Sequence, residues 1–211
     1  QAAGRGAPGE EVRVDAGEAA DAVVDVECIH FAHSIYHEGA ECEAAMAREG
    51  YTVMHIQQKD TDHTLQHPKW AVVVSPARAL VLVVYRGTWS WSDTIHDLMF
   101  IPMALPCGIK VNKGPSIAVS WSEASILSVV QRALHLCAEF APAGAAMPKV
   151  VFTGHSYGGG CAMLLRLHSL VDPAWKEALI GVDIAAVTFG APLVFGIPKQ
   201  RLDGAAAGAD G

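Results

Sequence analysis

The chain has 211 residues, of which 51% are hydrophobic and 18% are charged, and its formal net charge at pH 7 is −7. This length supports one sizeable hydrophobic core and is too short for two ordinary domains. The acidic balance, without any basic cluster, excludes nucleic acid as an expected partner and argues against electrostatic docking on anionic membranes. Any contact with lipid would therefore have to be apolar.

Both ends of the chain have the composition of loose tails, rich in Gly and Ala. We therefore expect one folded domain over residues 15–200, with flexible tails at 1–14 and 201–211. The first residues contain no apolar stretch of signal-peptide length, and the longest apolar region, residues 70–85, is interrupted by Pro76 and is too broken to cross a membrane. Since the chain begins at Gln1, we expect a fragment or a processed product.

The cysteines and clustered histidines predict no metal or redox site. The 5 cysteines are scattered and odd in number, so we expect buried or half-buried free thiols, with a Cys28–Cys42 disulfide as the alternative in a secreted protein. His30, His33 and His37 recur at helical spacing, but Glu38 is the one nearby carboxylate that we count at a matching spacing. We therefore expect ordinary core or surface histidines, and neither a metal nor a cofactor.

The spacing of apolar residues predicts helices and strands that alternate along the chain. Residues 70–74 and 79–85 form a predicted hairpin, and the second run lacks polar alternation, so we expect it in the middle of a sheet, buried on both faces. The other predicted strands cover residues 51–57, 149–153 and 184–189, and the predicted helices cover 16–37, 92–100, 120–140 and 156–170. This order predicts an α/β fold with a largely parallel central sheet flanked by helices.

One glycine-rich segment carries the main chemical signal. Residues 154–158 read GHSYG, a G-x-S-x-G pattern that follows an apolar strand and precedes an apolar helix. Such a turn holds Ser156 in a strained conformation at a helix N-terminus, where free N–H groups favour developing negative charge. Ser156 is therefore the predicted nucleophile of a serine hydrolase, and the alternative is a glycine-rich turn with an idle serine. We expect His155 to point away from the hydroxyl and to be structural.

A second signal follows the predicted central strand. Gly87 lets the backbone turn sharply there, which leaves the N–H of Thr88 free to point at a ligand. An oxyanion hole needs two such donors, and the second would be the N–H of Tyr157, directly after Ser156. The alternative is a strand cap in which Arg86 pairs with a carboxylate such as Asp97.

Three motifs together resemble the class 3 (fungal-type) lipases, including the diacylglycerol lipase branch. They are RGT at residues 86–88 with Asp93 and Asp97, GHSYGG at 154–159 and TFGAP at 188–192, and they extend over about residues 51–196. The resemblance implies an α/β-hydrolase fold and cleavage of carboxylic esters of acylglycerols or related lipids through an acyl-enzyme on Ser156. It also implies that Thr88 donates to the oxyanion through its N–H and its hydroxyl.

The resemblance further implies a lipid ester substrate, transient contact with a lipid interface, and a mobile lid before the long helix. The residues apolar enough to serve in that lid are Trp89, Trp91, Met99, Phe100, Ile101, Pro102, Met103 and Leu105. Where the family often has a His-x-Gly element, residues 112–114 read NKG, so no packing role of that histidine carries over.

The rest of a catalytic triad is missing from the sequence. In this fold the order is Ser, then Asp or Glu, then His, yet the only histidine after Ser156 is His168, three turns along the same predicted helix. Asp203 and Asp210 lie in the predicted tail, and we assign neither. We therefore expect an α/β-hydrolase sheet that is incomplete at its C-terminal side, with the triad Asp and His beyond Gly211.

Three interpretations of the missing base stay open. The chain is a fragment of an active lipase, or a pseudo-hydrolase that serves as a lipid- or protein-binding module, or an enzyme whose base comes from an unusual position such as His96. A serine without a base is a poor nucleophile, so we expect little turnover from these 211 residues alone.

Overall fold

The computed structural model describes residues 16–48, 50–57, 67–87, 101–104, 109–140 and 147–196. Within these ranges the helices are α1 (Ala16–Ser34), α2 (Gly39–Met46), α3 (Lys113–Phe140), α4 (Tyr157–Val171) and α5 (Pro173–Ala178). The strands are β1 (Thr52–Gln57), β2 (Trp70–Ser75), β3 (Leu80–Tyr85), β4 (Pro102–Ala104), β5 (Lys110–Asn112), β6 (Lys149–His155), β7 (Asp183–Phe189) and β8 (Phe195–Gly196).

A five-stranded sheet in the order β1-β2-β3-β6-β7 forms the centre of the fold. Strands β1, β2 and β3 are antiparallel, whereas β3, β6 and β7 are parallel, so the sheet is mixed with a parallel half around β6. The predicted hairpin is confirmed, since β2 and β3 are joined by one 3-10 turn over Pro76–Arg78. Every residue of β3 is buried in the middle of the sheet, which explains why that run shows no polar alternation.

Helices cover both faces of this sheet, which confirms the predicted α/β architecture. Alternate residues of β3 point to opposite faces. Val81 and Val83 pack with α3, α4 and α5, whereas Leu82 and Val84 pack with α1 and α2. On the first face, Phe152 of β6 meets the buried Trp175 of α5 edge-on at 5.9 Å between ring centroids. The hydrophobic cores on the two faces hold the sheet in place, and they thereby also position the turns at the carboxyl edge of the sheet.

Several elements differ from the sequence prediction. Helix α3 begins at Lys113 rather than at residue 120, because Pro115 is compatible with a first helical turn and Val119 is buried. Helices α2 and α5 and the small sheet β4-β5-β8 were not predicted, since all are too short to show a period. The predicted helix at residues 92–100 lies outside the described residues, as do the expected tails.

The described cysteines are free and buried, as expected. They are Cys28, Cys42, Cys137 and Cys161, while Cys107 lies outside the described residues. Burial raises the pKa of the Cys28 thiol to about 12. Cys28 and Cys42 are both free thiols and form no disulfide, although they share one core. Among the helices of the described residues, none is both long and apolar enough to span a membrane.

Candidate active site

Ser156 occupies the turn between β6 and α4 in an unusual backbone conformation. Its φ is 54° and its ψ is −124°, and apart from Ala79 it is the only non-glycine residue with a positive φ in the described part of the chain. The Ser156 N–H donates to the Phe189 carbonyl of β7 at 2.8 Å, and its own carbonyl accepts from the Gly160 N–H at 3.1 Å. The Ser156 hydroxyl makes no capping hydrogen bond to α4. The strained strand–helix turn predicted from the sequence is therefore present.

Two glycines bring the backbones around Ser156 into direct contact. A Cβ added at Gly154 would lie 2.6 Å from the Gly158 carbonyl carbon and 2.8 Å from the Tyr85 carbonyl oxygen. A Cβ added at Gly158 would lie 2.7 Å from the Arg86 carbonyl carbon. Because these neighbours are backbone atoms that cannot rotate away, only glycine allows β3, β6 and α4 to approach this closely.

The segment after β3 reaches the same edge of the sheet as Ser156. Tyr85 and Gly154 are paired in the parallel register of β3 and β6, so the backbone segments that follow these two strands leave the sheet side by side. A Cβ added at Gly87 would lie 2.5 Å from the His155 carbonyl oxygen, which places Gly87 against the residue before Ser156. Thr88 lies outside the described residues, so its predicted role stays a prediction.

Tyr157 is the first residue of α4, and its backbone and side chain face different environments. As an N-terminal helical residue it has an N–H without an intrahelical acceptor, as an oxyanion donor requires. Its side chain is buried in the core against α3, and burial raises the pKa of its hydroxyl far above the usual range. The side chain therefore stays neutral, and the predicted role of Tyr157 as an oxyanion donor concerns its backbone N–H alone and stays a prediction.

Arg86 pairs with a carboxylate that the sequence prediction missed. Its Nη1 lies 2.6 Å from Oε1 of Glu38, the residue before α2, and the buried Lys69 amine lies 3.5 Å from Oε2 of the same carboxylate. Burial alone would raise the pKa of Glu38, but the charges of Lys69 and Arg86 outweigh it and lower that pKa. The expected alternative partner, Asp97, lies outside the described residues.

The described histidines closest in sequence to Ser156, His155 and His168, contact other side chains. His155 is exposed, and its Nδ1 lies 3.2 Å from the Tyr36 hydroxyl. His168 lies on α4, as predicted, and its Nδ1 lies 2.7 Å from the Glu123 carboxylate of α3. No contact between a histidine and the Ser156 hydroxyl is found within the described ranges, and His96 lies outside them.

The histidines at the end of α1 and just beyond it, which include His33 and His37, do not build a metal site. His33 and His37 meet edge-on with ring centroids 5.8 Å apart, and Nδ1 of His37 lies 3.1 Å from the Glu41 carboxylate. In the portion of the chain that the structure describes, no group of three or more His, Cys, Asp or Glu side chains is arranged to hold a metal ion.

Residues 82–200, more than half of the chain, match the sequence profile of the family described as Lipase (class 3). The chain belongs to the class 3 lipase family. Among curated proteins, no sequence matches this class 3 lipase chain.

Solved structures of fungal lipases share the fold of this class 3 lipase chain. A propeptide complex of Rhizomucor miehei lipase is 20% identical with a TM-score of 0.60, covering 87% of this chain and 55% of its own. The lipase from Rhizopus microsporus var. chinensis is 19% identical with a TM-score of 0.60, covering 92% and 64%. The mono- and diacylglycerol lipase from Aspergillus oryzae is 20% identical with a TM-score of 0.57, covering 90% and 67%.

These likenesses confirm the α/β-hydrolase fold and do not extend to the chemistry of the site. The chain spans 55% to 64% of the length of the first two structures, so it corresponds to a part of those lipases. At about one-fifth identity the likeness concerns the fold alone. The roles of Ser156, Thr88 and Tyr157 remain predictions.

Two further family features can be located. Asn112, which stands where the family often has a histidine, donates through its side-chain amide to the Leu193 carbonyl at 2.8 Å and through its backbone N–H to the Val194 carbonyl at 2.8 Å. It thereby ties β5 to the segment after β7. Of the residues expected in the lid, Ile101 and Met103 are exposed and Pro102 lies beside Met103 on β4. The others lie outside the described residues, and the lid stays a prediction.

Proposed function

We propose that this chain carries the nucleophile half of a serine hydrolase that cleaves carboxylic esters of acylglycerols or related lipids, with Ser156 as the nucleophile. The observation that carries the proposal is the strained backbone of Ser156, which has a φ of 54° on a turn where β3, β6 and α4 touch through glycines. Strained backbone conformations of this kind cluster at active sites, so the strain at Ser156 motivates a functional assignment. Membership in the class 3 lipase family supports the choice of an ester substrate.

The proposed reaction uses the atoms at the carboxyl edge of the sheet. The Ser156 oxygen attacks the ester carbonyl carbon while a base takes its proton, and the tetrahedral oxyanion accepts hydrogen bonds from the N–H groups of Tyr157 and Thr88. The carbon–oxygen bond to the alcohol then breaks, and the alcohol leaves with the proton from the base. Water then attacks the acyl-enzyme with help from the same base, which releases the fatty acid and restores the Ser156 hydroxyl.

Among the described residues we assign no base that could take the proton of Ser156. His168, near the C-terminal end of α4, is bound by Glu123, and His155 is bound by Tyr36. We propose that the complete gene product supplies the triad Asp and His. Loss of one oxyanion donor should then raise the barrier by about 3 kcal/mol, or roughly two orders of magnitude in kcat.

The test replaces Ser156 in the full-length gene product. Ser156→Ala should lower hydrolysis of a p-nitrophenyl ester by more than about a thousandfold, because the attacking atom is gone. Ser169→Ala is the matched control, since Ser169 is also buried on α4 but its hydroxyl donates to the Arg166 carbonyl instead. Equal turnover by wild type and Ser156→Ala would refute the assignment. A wild type that binds lipid vesicles without any turnover would favour the pseudo-hydrolase interpretation.

A further inference from the structure

An open groove with a volume of about 470 Å³ lies between strand β1 and helix α3. Strand β1 is the outer strand of the five-stranded sheet, and its residues His55 and Gln57 form one wall of the groove. Helix α3 forms the opposite wall. Trp70 of β2 lies between the two walls and is only 1% exposed, so it forms the floor. None of the lining residues belongs to the turn that carries Ser156.

The wall on α3 carries a stripe of polar side chains. Ser125, Ser128 and Arg132 line the groove and are exposed. Their spacings of three and four residues place them on one side of the helix. Trp121, four residues before Ser125, continues the same side, and its ring stacks on that of His67 with 4.4 Å between centroids. The groove is therefore lined by hydroxyl and guanidinium donors next to an aromatic pair.

Arg132 gives the groove a positive charge that no acidic side chain balances. No Asp or Glu is among the lining residues, and Arg132 makes no ion pair with any residue that the structure describes. Glu123, on the same helix, lies 2.7 Å from Nδ1 of His168 on α4 instead. The formal net charge of the chain is −7, so an unpaired guanidinium in a groove without acids is a local exception that favours an anionic ligand.

Trp70 supplies a second donor without a partner. Its indole N–H is buried, and it has no acceptor among the residues that the structure describes. The His55 ring lies against the indole with 4.8 Å between centroids, so the floor is continuous with the β1 wall. A buried N–H without an acceptor costs free energy. Because this nitrogen is not exposed to bulk solvent, a group that fills the floor of the groove is the acceptor that could satisfy it.

The lining also determines the class of anion. One guanidinium balances one negative charge, and its planar donors match the two oxygens of a carboxylate. A phosphate monoester, with a charge of about −1.5 to −2 at pH 7, would keep an unbalanced charge. The remaining lining is apolar, since Ala124 and Val129 of α3 border the Trp70 ring, and an apolar body would be removed from water there.

We propose that the groove between β1 and α3 binds a small organic carboxylate. Its carboxylate group accepts hydrogen bonds from the Arg132 guanidinium and from the Trp70 indole N–H, and its apolar body lies against Val129. This binding site goes beyond the proposed function and does not depend on it, because none of the residues around Ser156 takes part.

The first test titrates the full-length gene product with hexanoate and follows the indole N–H signals by NMR. The Trp70 signal, assigned from spectra of the wild type, should move downfield and saturate, because its N–H gains an acceptor. The signal of Trp175, which is buried on α5 against Phe152, should stay in place. This local signal also distinguishes the groove from any acyl-binding site near Ser156. A Trp70 signal that does not move with hexanoate would overturn the inference.

The second test removes the charge from each partner in turn. Hexanol has the same apolar body without the carboxylate and should bind about tenfold more weakly than hexanoate, as should hexanoate to Arg132→Gln. Lys176→Gln is the matched control, since it removes one positive charge from an exposed residue of α5 outside the groove, and it should leave the Kd unchanged.

Three outcomes of this second test would overturn the inference. They are equal weakening by Arg132→Gln and Lys176→Gln, hexanol that binds as tightly as hexanoate, and hexyl phosphate that binds more tightly than hexanoate. Arg132 is exposed and has no ion-pair partner among the described residues, so Arg132→Gln should keep the melting temperature of wild type and report on binding alone.

Discussion

The strain at Ser156 makes a quantitative prediction about stability. A φ of 54° with a ψ of −124° is a conformation that glycine adopts freely and that a residue with a Cβ adopts at a penalty of about 1–3 kcal/mol. Ser156→Gly removes this penalty but also gives the unfolded chain more freedom, which offsets about 0.4–1 kcal/mol. Ser156→Ala keeps the Cβ and removes only the hydroxyl. We therefore expect Ser156→Gly to be more stable than Ser156→Ala by roughly 0.5–2 kcal/mol.

Urea unfolding of the two variants measures this difference directly, since the midpoints shift at an unchanged slope if only stability differs. Ala79→Gly is the control, because Ala79 is the other described non-glycine residue with a positive φ, at 48°. Ala79 lies in the ordinary left-handed region and is buried, so the relieved strain is offset by the lost methyl group, and we expect little net change. If Ser156→Gly were no more stable than Ser156→Ala, the strained turn would be refuted.

Three other predictions concern the surroundings of Ser156. Gly158→Ala should destabilise the protein by about 3 kcal/mol in urea unfolding, because its Cβ meets only backbone, whereas Gly181→Ala, with open space around its Cβ, should lose about 1 kcal/mol from its positive φ; equal losses would contradict the close approach. Glu38→Gln should lower stability at pH 7 by at most about 1 kcal/mol, and because the folded pKa of Glu38 is lowered, the difference from wild type should shrink as the pH falls through that lowered pKa and vanish once Glu38 is protonated in both the folded and the unfolded states; a difference that persists in acid would contradict this. Asn112→Ala should lose about 1 kcal/mol in thermal unfolding with its hydrogen bond to Leu193, and no loss would argue against that tie.

The features that the sequence predicted best are local ones. The turn around Ser156 could be found because its requirements fall within 5 consecutive residues, from Gly154 to Gly158, between an apolar strand and an apolar helix. The central position of β3 was predictable because a strand buried on both faces has no solvent-facing positions for polar side chains. In both cases the structural requirement, a tight turn or burial on both faces, restricts the residue types of neighbouring positions and is therefore visible in a short stretch of sequence.

The contacts that hold the loop after β3 could not be predicted in this way. Tyr36 and His155 are separated by 119 residues, and Glu38 and Arg86 by 48 residues. Only the folded sheet brings these side chains together, and no spacing in the sequence specifies such a pair. The alternative interpretation, in which Arg86 pairs with a carboxylate, holds with Glu38 as the partner, because a buried guanidinium needs such a group, but the choice among distant acids depends on the tertiary structure.

The early start of α3 and the small sheet are further features that the sequence did not predict. The sequence predicts that α3 begins after the polar and proline-containing segment at residues 112–116, yet the helix begins at Lys113 because Pro115 fits its first turn. Asn112, just before the helix, joins β5 to the segment after β7. Strands β4, β5 and β8 contain two or three residues each, which is too short for a period-two pattern. They are held together only by pairing between distant parts of the chain, since β5 pairs with β4 on one side and with β8, which follows β7, on the other.

The central claim, that Ser156 is an activated nucleophile, is tested most directly by covalent labelling of the full-length gene product with a fluorophosphonate. We expect one adduct per molecule, located by peptide mass spectrometry on Ser156 and lost in Ser156→Ala. An adduct on another residue, or no adduct on a protein that still hydrolyses esters, would contradict the claim.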